Sequence, residues 1–313
     1  MGTRYPDLSI EEGILEPLGA EIVVGDGATP DAIVEQAADA EVILAGSRPR
    51  FDAATLERLH ARAIVRYGVG TETIDLPAAS EMGMWVAYVP DFGTEAVSVH
   101  ALTLALAGVR RLIAADRIVR NGDWAFDDIR PLHLPSATTA AVVGLGRIGN
   151  RVAELFGGIG FSVRGHDPFV QEFPNSIAAV SLREALACDV VSLHAPGRSD
   201  GSPLIGAAEL SSMSSGSVLV NTSRGSLIDQ DALIDGLRRG RPAIAALDVF
   251  ANEPPDVRAF AAVEDRVIFS PHMAWYSEES EADVRTKAAY EAARLLRGQE
   301  PVNSVASPRG APL

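Results

Sequence analysis

The sequence predicts an α/β protein with two parallel-sheet domains that face each other across a cleft. Short apolar runs alternate with longer segments of helical periodicity, which is typical of repeated βαβ units. The runs form an early and a late group, separated by a long helical pattern. The predicted strands are residues 21–24, 42–45, 63–66, 85–89, 140–144, 162–166, 190–194, 218–222, 243–249 and 267–270.

The helical pattern between the two groups sets the predicted domain boundaries. Residues 93–120 are rich in Ala, Leu and Val and are predicted to form one long connecting helix. A last helix, residues 277–298, is expected to fold back onto the first sheet, followed by a frayed tail at 301–313. We therefore predict a substrate (catalytic) domain from residues 1–90 and 276–313, and a second domain from residues 91–275.

Composition and charge narrow the classes of partner. The formal net charge of −15 disfavours nucleic acid and anionic membrane surfaces, so a small-molecule ligand is expected. The single cysteine, Cys188, rules out an intramolecular disulfide and a multi-cysteine zinc site, so no metal is predicted and a cytoplasmic location is favoured. The most apolar stretch, residues 101–109, is shorter than the roughly 20 residues that span a bilayer and is predicted to be a buried helix.

A G-x-G-x-x-G sequence follows the strand predicted at 140–144 and opens a predicted helix. Gly144 would allow a tight turn, Gly146 would let a pyrophosphate approach the backbone, and Gly149 would permit close helix packing. The amides of Arg147 and Ile148, at the helix N-terminus, would face the phosphates. In this context the motif predicts a Rossmann-type dinucleotide-binding domain.

The acidic residue at the end of the next predicted strand indicates which dinucleotide is preferred. Asp167 lies 18 residues after Gly149 (167 − 149), near the spacing at which a carboxylate meets the adenosine ribose hydroxyls. Its charge would repel a 2′-phosphate, and Pro168 and Phe169 supply no cation, so NAD (NADH) is predicted rather than NADP. The alternative is that the glycines serve only a turn and that Asp167 is a solvated strand end.

Three polar residues follow three predicted strands, at the sheet edge where ligands of open α/β folds bind. Arg224 can offer a planar fork to carboxylate and carbonyl oxygens, and His272 can donate or accept a proton. Glu253 beside His272 would favour the imidazolium and raise its pKa. Reduction of a 2-oxo acid needs these groups together, although each alone could be a surface ion pair or a satisfied core group.

Five sequence blocks resemble, in order and spacing, the D-isomer-specific 2-hydroxyacid dehydrogenase family. The resemblance implies two Rossmann-like or flavodoxin-like domains, with residues 91–275 binding NAD, and a homodimer through that domain. It also implies NAD-dependent D-2-hydroxyacid dehydrogenase activity, with Arg224, Glu253 and His272 as catalytic residues. The blocks are VGLGRIG at 143–149, DVVSLH at 189–194, NTSRG at 221–225, LDVFANEP at 247–254 and SPH at 270–272.

The glycine motif and the family resemblance together predict the cofactor contacts. The other five histidines, at 60, 100, 133, 166 and 194, have no metal-ligand spacing and are interpreted as structural. Among them, His194 is also placed beside the cofactor by the family's motif. The predicted cofactor-binding residues are Thr94, Gly144, Gly146, Arg147, Ile148, Gly149, Asp167, Pro168, His194, Ala195, Thr222, Ser223, Asp248 and His272.

A closer resemblance is to the C-terminal-binding-protein branch of the family, through VRYGVG at 65–70 and HMAWYSE at 272–278. It implies that Arg66, Val69, Gly70 and Trp275 bind the substrate together with Arg224. The side chain of the substrate would then be apolar, thioether-like or aromatic rather than phosphorylated, unless Trp275 serves only interdomain packing. Because that branch includes co-repressors, an NAD-responsive co-repressor-like binding protein with little turnover is the alternative function.

The sequence departs from the family pattern in two places. Residues 5–8 lie where the family usually has a first strand, so the first domain is expected to lack an edge strand or to start differently. Residues 197–201 form a polar loop where the family commonly has an apolar residue followed by Thr. Either departure could change the pocket.

Overall fold

The structure is a computed structural model that describes residues 1, 2, 5, 7–174, 176–198 and 200–308. The chain divides into two compact units: Met1–Gly93 with the chain from Ser277 onward, and Thr94–Tyr276. Short 3-10 helices lie at Glu16–Leu18, Asp127–Ile129, Pro135–Ala137, Gly225–Leu227 and Val257–Arg266. The strands are β1 Val42–Ala45, β2 Ala63–Arg66, β3 Trp85–Ala87, β4 Thr139–Val143, β5 Ser162–His166, β6 Ala178–Ala179, β7 Val190–Leu193, β8 Val218–Asn221, β9 Ile244–Leu247, β10 Val267–Phe269 and β11 Ser304–Ala306. The α-helices are α1 Ser9–Leu15, α2 Pro30–Gln36, α3 Ala53–Leu56, α4 Leu76–Glu81, α5 Thr94–Val109, α6 Leu112–Arg120, α7 Arg147–Gly158, α8 Leu182–Leu186, α9 Ala207–Ser212, α10 Gln230–Arg238 and α11 Glu278–Leu296.

The first unit is a four-stranded sheet in the order β1-β2-β3-β11. β1, β2 and β3 are parallel, and β11 runs antiparallel to β3. Helices α2, α3 and α4 are preceded by the N-cap residues Thr29, Asp52 and Asp75, whose side chains each accept a hydrogen bond from a first-turn amide. The prediction of a final helix is confirmed, since α11 packs on α1, β1 and β2.

Two expectations for the first unit are wrong. Residues 21–24 form no strand, and Val23 and Val24 are 69% and 74% exposed. The Gly2 amide donates to the Gly25 carbonyl, while Met1 bonds to Leu44 and Gly46, and among the described residues the segment 21–24 has no ladder of backbone hydrogen bonds to a neighbouring strand. The tail is not frayed at Ser304–Ala306, which pairs with β3; residues 309–313 lie outside the described part of the chain.

The second unit is a seven-stranded, all-parallel sheet in the order β10-β9-β8-β7-β4-β5-β6. Helices α5 and α7 cover one face, and α8, α9 and α10 cover the other. From β4 the strands β5 and β6 are added towards one edge of the sheet, and β7 to β10 are added towards the other edge. The order of strands therefore reverses between β4 and β7, which is where ligands of doubly wound folds bind. The prediction of an α/β protein with parallel sheets is confirmed.

The predicted single connecting helix is wrong, because α5 and α6 are separate helices bent by 59°. Arg111, between them, has a left-handed backbone with φ 52°, which interrupts the right-handed helical path, and it stands at the N-cap position of α6 without a side-chain capping hydrogen bond. α5 buries Ala101, Leu104 and Ala105 in the core, whereas α6 buries no residue. No single described helix has the length and apolar character to cross a membrane, and α5 and α6 meet those criteria only as a bent pair.

Candidate active site and dinucleotide-binding loop

Packing within the second unit requires glycine at two positions of the loop between β4 and α7. Gly144 has φ 92°, and a Cβ there would lie 2.6 Å from the carbonyl carbon of His194. A Cβ on Gly149 would lie 1.9 Å from the carbonyl oxygen of Gly144. The loop after β4 therefore lies directly against the loop after β7, as a tight strand-to-helix turn demands.

Gly146 differs from these two glycines because packing does not explain it. A Cβ there would meet no described atom within 4 Å, and its φ of −70° suits any residue. It stands at the N-cap of the 12-residue helix α7, beside the exposed Arg147 and the half-buried Ile148. The open space lies where the unpaired first amides of the helix can bind an anion, so it fits a pyrophosphate.

Asp167 and Thr222 add two polar groups to this part of the second unit. The Asp167 carboxylate, at the end of β5, accepts hydrogen bonds from the Leu145 amide at 2.8 Å and the Phe169 amide at 2.9 Å. Thr222, at the end of β8, has a buried hydroxyl oxygen with no hydrogen-bond partner among the described residues. A buried hydroxyl in that state is a natural contact for a bound ligand. These residues therefore fit a dinucleotide.

The other predicted cofactor residues also follow carboxyl ends of strands or begin a helix of the second unit. Burial lowers the pKa of His194 to about 3, so this imidazole stays neutral, and its Nε2 lies 2.8 Å from Ser192 Oγ. The exposed Pro168 follows Asp167. Ser223 Oγ donates to the Ala195 carbonyl at 2.6 Å, which joins the loops after β7 and β8. Thr94 begins α5 and accepts from Ser98 at 2.6 Å.

Glu253 and His272 form a hydrogen-bonded pair beyond the ends of β9 and β10. His272 Nδ1 lies 2.6 Å from Glu253 Oε2, and the other carboxylate oxygen accepts from the Phe250 amide at 3.0 Å. Because a carboxylate only accepts, Nδ1 carries the proton and Nε2 is left for another partner. The side chains are 51% and 35% exposed, for His272 and Glu253 respectively, so a ligand can reach the pair.

The pKa values of the pair are shifted in opposite directions. The hydrogen bond from Glu253 raises the pKa of His272 above its ordinary value, against the opposing effect of burial. Burial alone would raise the pKa of Glu253, but hydrogen bonds from His272 and Phe250 outweigh it and the pKa is lowered. The pair therefore favours an ionised carboxylate beside a histidine that holds its proton to higher pH.

Asp248 fixes the loop that carries His272. Its carboxylate is fully buried and accepts from Ser270 Oγ at 2.6 Å, the Met273 amide at 3.0 Å and the Ala274 amide at 2.9 Å. The His272 amide donates to the Asp248 carbonyl at 2.8 Å. His272 itself has φ 52°, which is rare for a residue with a side chain and is often found at functional sites.

The sequence interpretation did not give His100 a place at this site. His100 Nε2 lies 3.0 Å from Ser270 Oγ and 3.6 Å from Asp248 Oδ1. His100, on α5, therefore helps to hold Ser270 and Asp248, which support the loop that carries His272. A histidine in an otherwise apolar helix was the only available signal, and that pattern is equally typical of a buried structural histidine.

Arg224 follows β8 and lies within electrostatic range of the pair. Its positive charge lowers the pKa of both Glu253 and His272, as a minor contribution to each shift. Its half-buried guanidinium donates to the Ser223 carbonyl at 2.9 Å. A Cβ on the next residue, Gly225, would lie 1.9 Å from the Phe250 carbonyl carbon, so the loops after β8 and β9 are in direct contact.

The predicted substrate residues are distributed over both units. Arg66 ends β2 of the first unit, is buried, and donates to the Tyr67 carbonyl. In the same unit Val69 is 44% exposed and Gly70 is half-buried. Trp275 of the second unit is half-buried, three residues after His272, and its ring packs edge-on against Tyr276 at 5.6 Å.

A glycine loop at the switch point of a parallel sheet defines the second unit as a Rossmann-type dinucleotide-binding domain. A model of the D-isomer specific 2-hydroxyacid dehydrogenase NAD-binding domain matches residues 102–274. Because the match covers more than half of the chain, the protein belongs to the D-isomer-specific 2-hydroxyacid dehydrogenase family. The predictions of the family and of an NAD-binding domain are confirmed.

Relatives extend the similarity to nearly the whole chain. A D-3-phosphoglycerate dehydrogenase of Archaeoglobus fulgidus is 30% identical over 295 residues, 93% of this chain and 56% of the relative. A glyoxylate reductase of Korarchaeum cryptofilum is 33% identical over 282 residues, 87% of this chain and 85% of the relative. The D-lactate dehydrogenase of Aquifex aeolicus, solved with NAD and lactic acid, has a TM-score of 0.81 at 27% identity and covers 88% of this chain and 89% of its own.

The chain spans only about half the length of the curated phosphoglycerate dehydrogenases that it matches. The names of these relatives refer to phosphorylated and unphosphorylated acids, so they do not define one substrate for this chain. The closer resemblance to the C-terminal-binding-protein branch stays a prediction.

Proposed function

We propose that the protein is an NAD-dependent D-2-hydroxyacid dehydrogenase that interconverts a 2-oxo acid and its D-2-hydroxy acid. The observation that carries the proposal is the 2.6 Å hydrogen bond between Glu253 and His272, with Arg224 near both. These groups follow three neighbouring strands of a domain that belongs to an NAD-binding family. A carboxylate, an imidazole and a guanidinium are the groups that this reaction needs.

Each of the three side chains has a distinct role in the proposed reaction. When bound, NAD supplies the hydride donor and acceptor. Arg224 binds the carboxylate of the acid and polarises its carbonyl oxygen through a planar fork. His272 donates a proton from Nε2 to that oxygen in reduction and takes it back in oxidation. Glu253 holds Nδ1–H and so fixes both the orientation and the charge of the imidazole.

The residues around the glycine loop would hold the cofactor. The open face of Gly146 and the amides of Arg147 and Ile148 would bind the pyrophosphate. Asp167 would meet the adenosine ribose and disfavour a 2′-phosphate, and the buried Thr222 hydroxyl would gain a partner. Thr94, Pro168, His194, Ala195, Ser223 and Asp248 complete the proposed contacts.

We further propose that the side chain of the substrate is apolar or thioether-like. Trp275 is half-buried beside the catalytic loop, and Met273 and Tyr276 next to it are 42% and 43% exposed. The stretch 272–278 carries no Lys or Arg that could bind a phosphate and ends in Glu278. Arg66, Val69 and Gly70 of the first unit stay predicted substrate residues, and that unit stays the predicted substrate domain.

A homodimer through the cofactor domain is part of the same proposal. The exposed side of α6 carries Leu112 and Val119, which are 58% and 54% exposed, and the following segment carries Trp124, which is 85% exposed. Large apolar side chains exposed to this extent support a protein interface. Sedimentation of a Trp124→Lys variant should show a loss of dimer, and an unchanged mass would contradict this interface.

The test is to follow NADH oxidation with a series of 2-oxo acids of graded side-chain size, with phosphorylated members and NADPH in parallel. The Arg224→Gln variant should lose turnover by about 100-fold or more while NADH binding persists. The matched control is Arg238→Gln, an exposed arginine paired with Asp235 on α10. Unchanged turnover in Arg224→Gln would contradict its role. NADH binding without turnover of any acid would instead favour the NAD-responsive co-repressor-like protein.

A further inference from the structure

A buried ion pair lies in the interior of the first unit. Arg285 on α11 and Glu11 on α1 are 4% and 1% exposed, and the guanidinium donates to both carboxylate oxygens, from Nε at 3.1 Å and from Nη2 at 2.7 Å. Arg285 Nη2 also donates to the Asp7 carbonyl at 2.8 Å. Removing two charges from water costs free energy, and an apolar pair of similar volume is often at least as stable. Stability alone therefore does not explain the pair.

Tyr67 connects this ion pair to the loop after β2. Its hydroxyl donates to Glu11 Oε1 at 3.0 Å, and burial together with that carboxylate raises the pKa of Tyr67, so the hydroxyl keeps its proton. The buried Tyr67 ring packs edge-on against Tyr5, with 5.2 Å between the ring centroids, and the Arg285 guanidinium lies 4.7 Å from the Tyr5 centroid. The side chain of Tyr67 is thus fixed both at its hydroxyl and at its ring.

The backbone of Tyr67 in turn holds Arg66, which ends β2. The Arg66 guanidinium donates to the Tyr67 carbonyl, and a Cβ on Gly68 would lie 3.5 Å from Arg66 Nη1, so the guanidinium lies back over this turn. The Gly68 amide donates to the Arg66 carbonyl at 2.9 Å, and Gly68 has φ 132°, which side chains rarely adopt. Because the carbonyl that accepts from Arg66 belongs to Tyr67, a rotation of the Tyr67 peptide would change the direction of the guanidinium.

We propose that the Tyr67 hydroxyl, held by the buried ion pair, positions the Arg66 guanidinium for the carboxylate of the substrate. The inference rests on the proposed function, in which Arg66 is a predicted substrate residue. A guanidinium binds a carboxylate best when its planar fork is aligned with the two oxygens. Apolar packing around Tyr67 would bury the ring, but the hydrogen bond to Glu11 also specifies one position for it. Tyr67 and Glu11 are therefore positioning residues that act through Arg66.

Tyr67→Phe is the most direct test, because it removes the hydroxyl and keeps the ring. The substrate is the 2-oxo acid of the graded series that has the highest kcat/KM. We expect KM to rise by about tenfold with kcat and the Kd for NADH unchanged, because a misaligned cation weakens the ground state and the transition state alike. The matched control is Tyr290→Phe, on α11 of the same unit, where the side chain is 57% exposed; it should behave as the wild type does.

A double substitution distinguishes positioning from a general loss of structure. Arg66→Gln should itself raise KM, and Tyr67→Phe in that background should add no further increase, because it acts through Arg66. The unfolding temperature of each variant is measured alongside, so that a loss of fold is recognised. An unchanged KM in either single variant overturns the inference, as do two effects that simply add.

Hydrogen exchange tests the same contact without turnover. The Tyr67 amide donates to the Ala45 carbonyl at 2.9 Å and the Gly68 amide donates to Arg66, so both amides are expected to be protected. In Tyr67→Phe both should exchange about tenfold faster, while the amides of α10 in the second unit keep their rates. Unchanged exchange overturns the inference whether or not the enzyme is active. If the wild type reduces no 2-oxo acid, the proposed function fails, and faster exchange still supports the hold of Tyr67 on the loop.

Discussion

Gly225→Ala is the substitution that tests most directly how the catalytic loops are held together. Gly225 has no left-handed backbone, so alanine is excluded by space alone. The added Cβ would lie 1.9 Å from the Phe250 carbonyl carbon, 2.2 Å from its oxygen and 2.4 Å from the Ala251 nitrogen. These are backbone atoms, so no side-chain rotation can relieve the clash.

The size of the effect follows from that geometry. Non-bonded carbon atoms need about 3.5 Å, so the segment at Phe250 must move by about 1.5 Å. Because the Phe250 amide donates to Glu253 at 3.0 Å, a shift of Phe250 would displace Glu253 and disturb its hydrogen bond to His272. Overpacking of this kind costs about 1–3 kcal/mol of the free energy of unfolding. A displacement of about 1 Å at the reacting groups can cost about 100-fold in rate.

The assay compares kcat/KM, the Kd for NADH and the free energy of unfolding with those of Gly157→Ala. Gly157 lies exposed in α7, where a Cβ would meet only Val163 at an ordinary 3.8 Å. Gly225→Ala should lose about 100-fold in kcat/KM while keeping NADH affinity, and Gly157→Ala should lose neither. A folded Gly225→Ala protein with full activity would refute the close contact between the two loops.

Three further substitutions test the charge, the cofactor preference and the open glycine. In Glu253→Gln the pKa of His272 should fall, since the hydrogen bond to the carboxylate raises it. Reduction needs the protonated imidazole, so the rate of reduction should begin to decline at a lower pH than in the wild type. An unmoved pH profile would exclude the coupling between Glu253 and His272. Asp167→Asn keeps an acceptor for the Leu145 amide but removes the charge, so the ratio of kcat/KM for NADH over NADPH should shrink; a constant ratio would mean that Asp167 does not face the ribose. Gly146→Ala should leave the unfolding temperature unchanged, because its Cβ meets no described atom within 4 Å. It should raise the Kd for NADH, because that Cβ would occupy the space proposed for the pyrophosphate; unaltered NADH binding would place the pyrophosphate elsewhere.

Local sequence was sufficient for the features that depend on neighbouring residues. The glycine loop was predictable because the turn and the helix start are encoded within a few residues. Strands such as β8 were predictable because both of their faces are buried, which gives continuous apolar runs. Residues 21–24 have a similar apolar character but pair with no strand in the described part of the chain, and pairing cannot be read from one segment. The bend at Arg111 was missed because arginine is an ordinary helix residue.

In the candidate site, too, the features that depend on local sequence were predictable and the long-range contacts were not. Arg224, Glu253 and His272 were identified from residue type and position after a strand, which the topology of parallel sheets makes informative. The contact of Gly225 with Phe250, the hydrogen bond between His100 and Ser270 and the three donors to Asp248 were not identified. Each of these joins segments that are distant in sequence, so only the tertiary structure reveals them.

The register of the second sheet explains why these three catalytic candidates lie close together. Asn221, Leu247 and Phe269, which end β8, β9 and β10, are aligned across the sheet, and Arg224, Glu253 and His272 follow them within a few residues. Alignment alone does not orient a side chain. The buried Asp248 carboxylate fixes the orientation of the loop, because its burial is tolerated only while the loop at 270–274 donates three hydrogen bonds to it. Those bonds offset the cost of the left-handed backbone of His272, so Asp248 acts by positioning the proton donor.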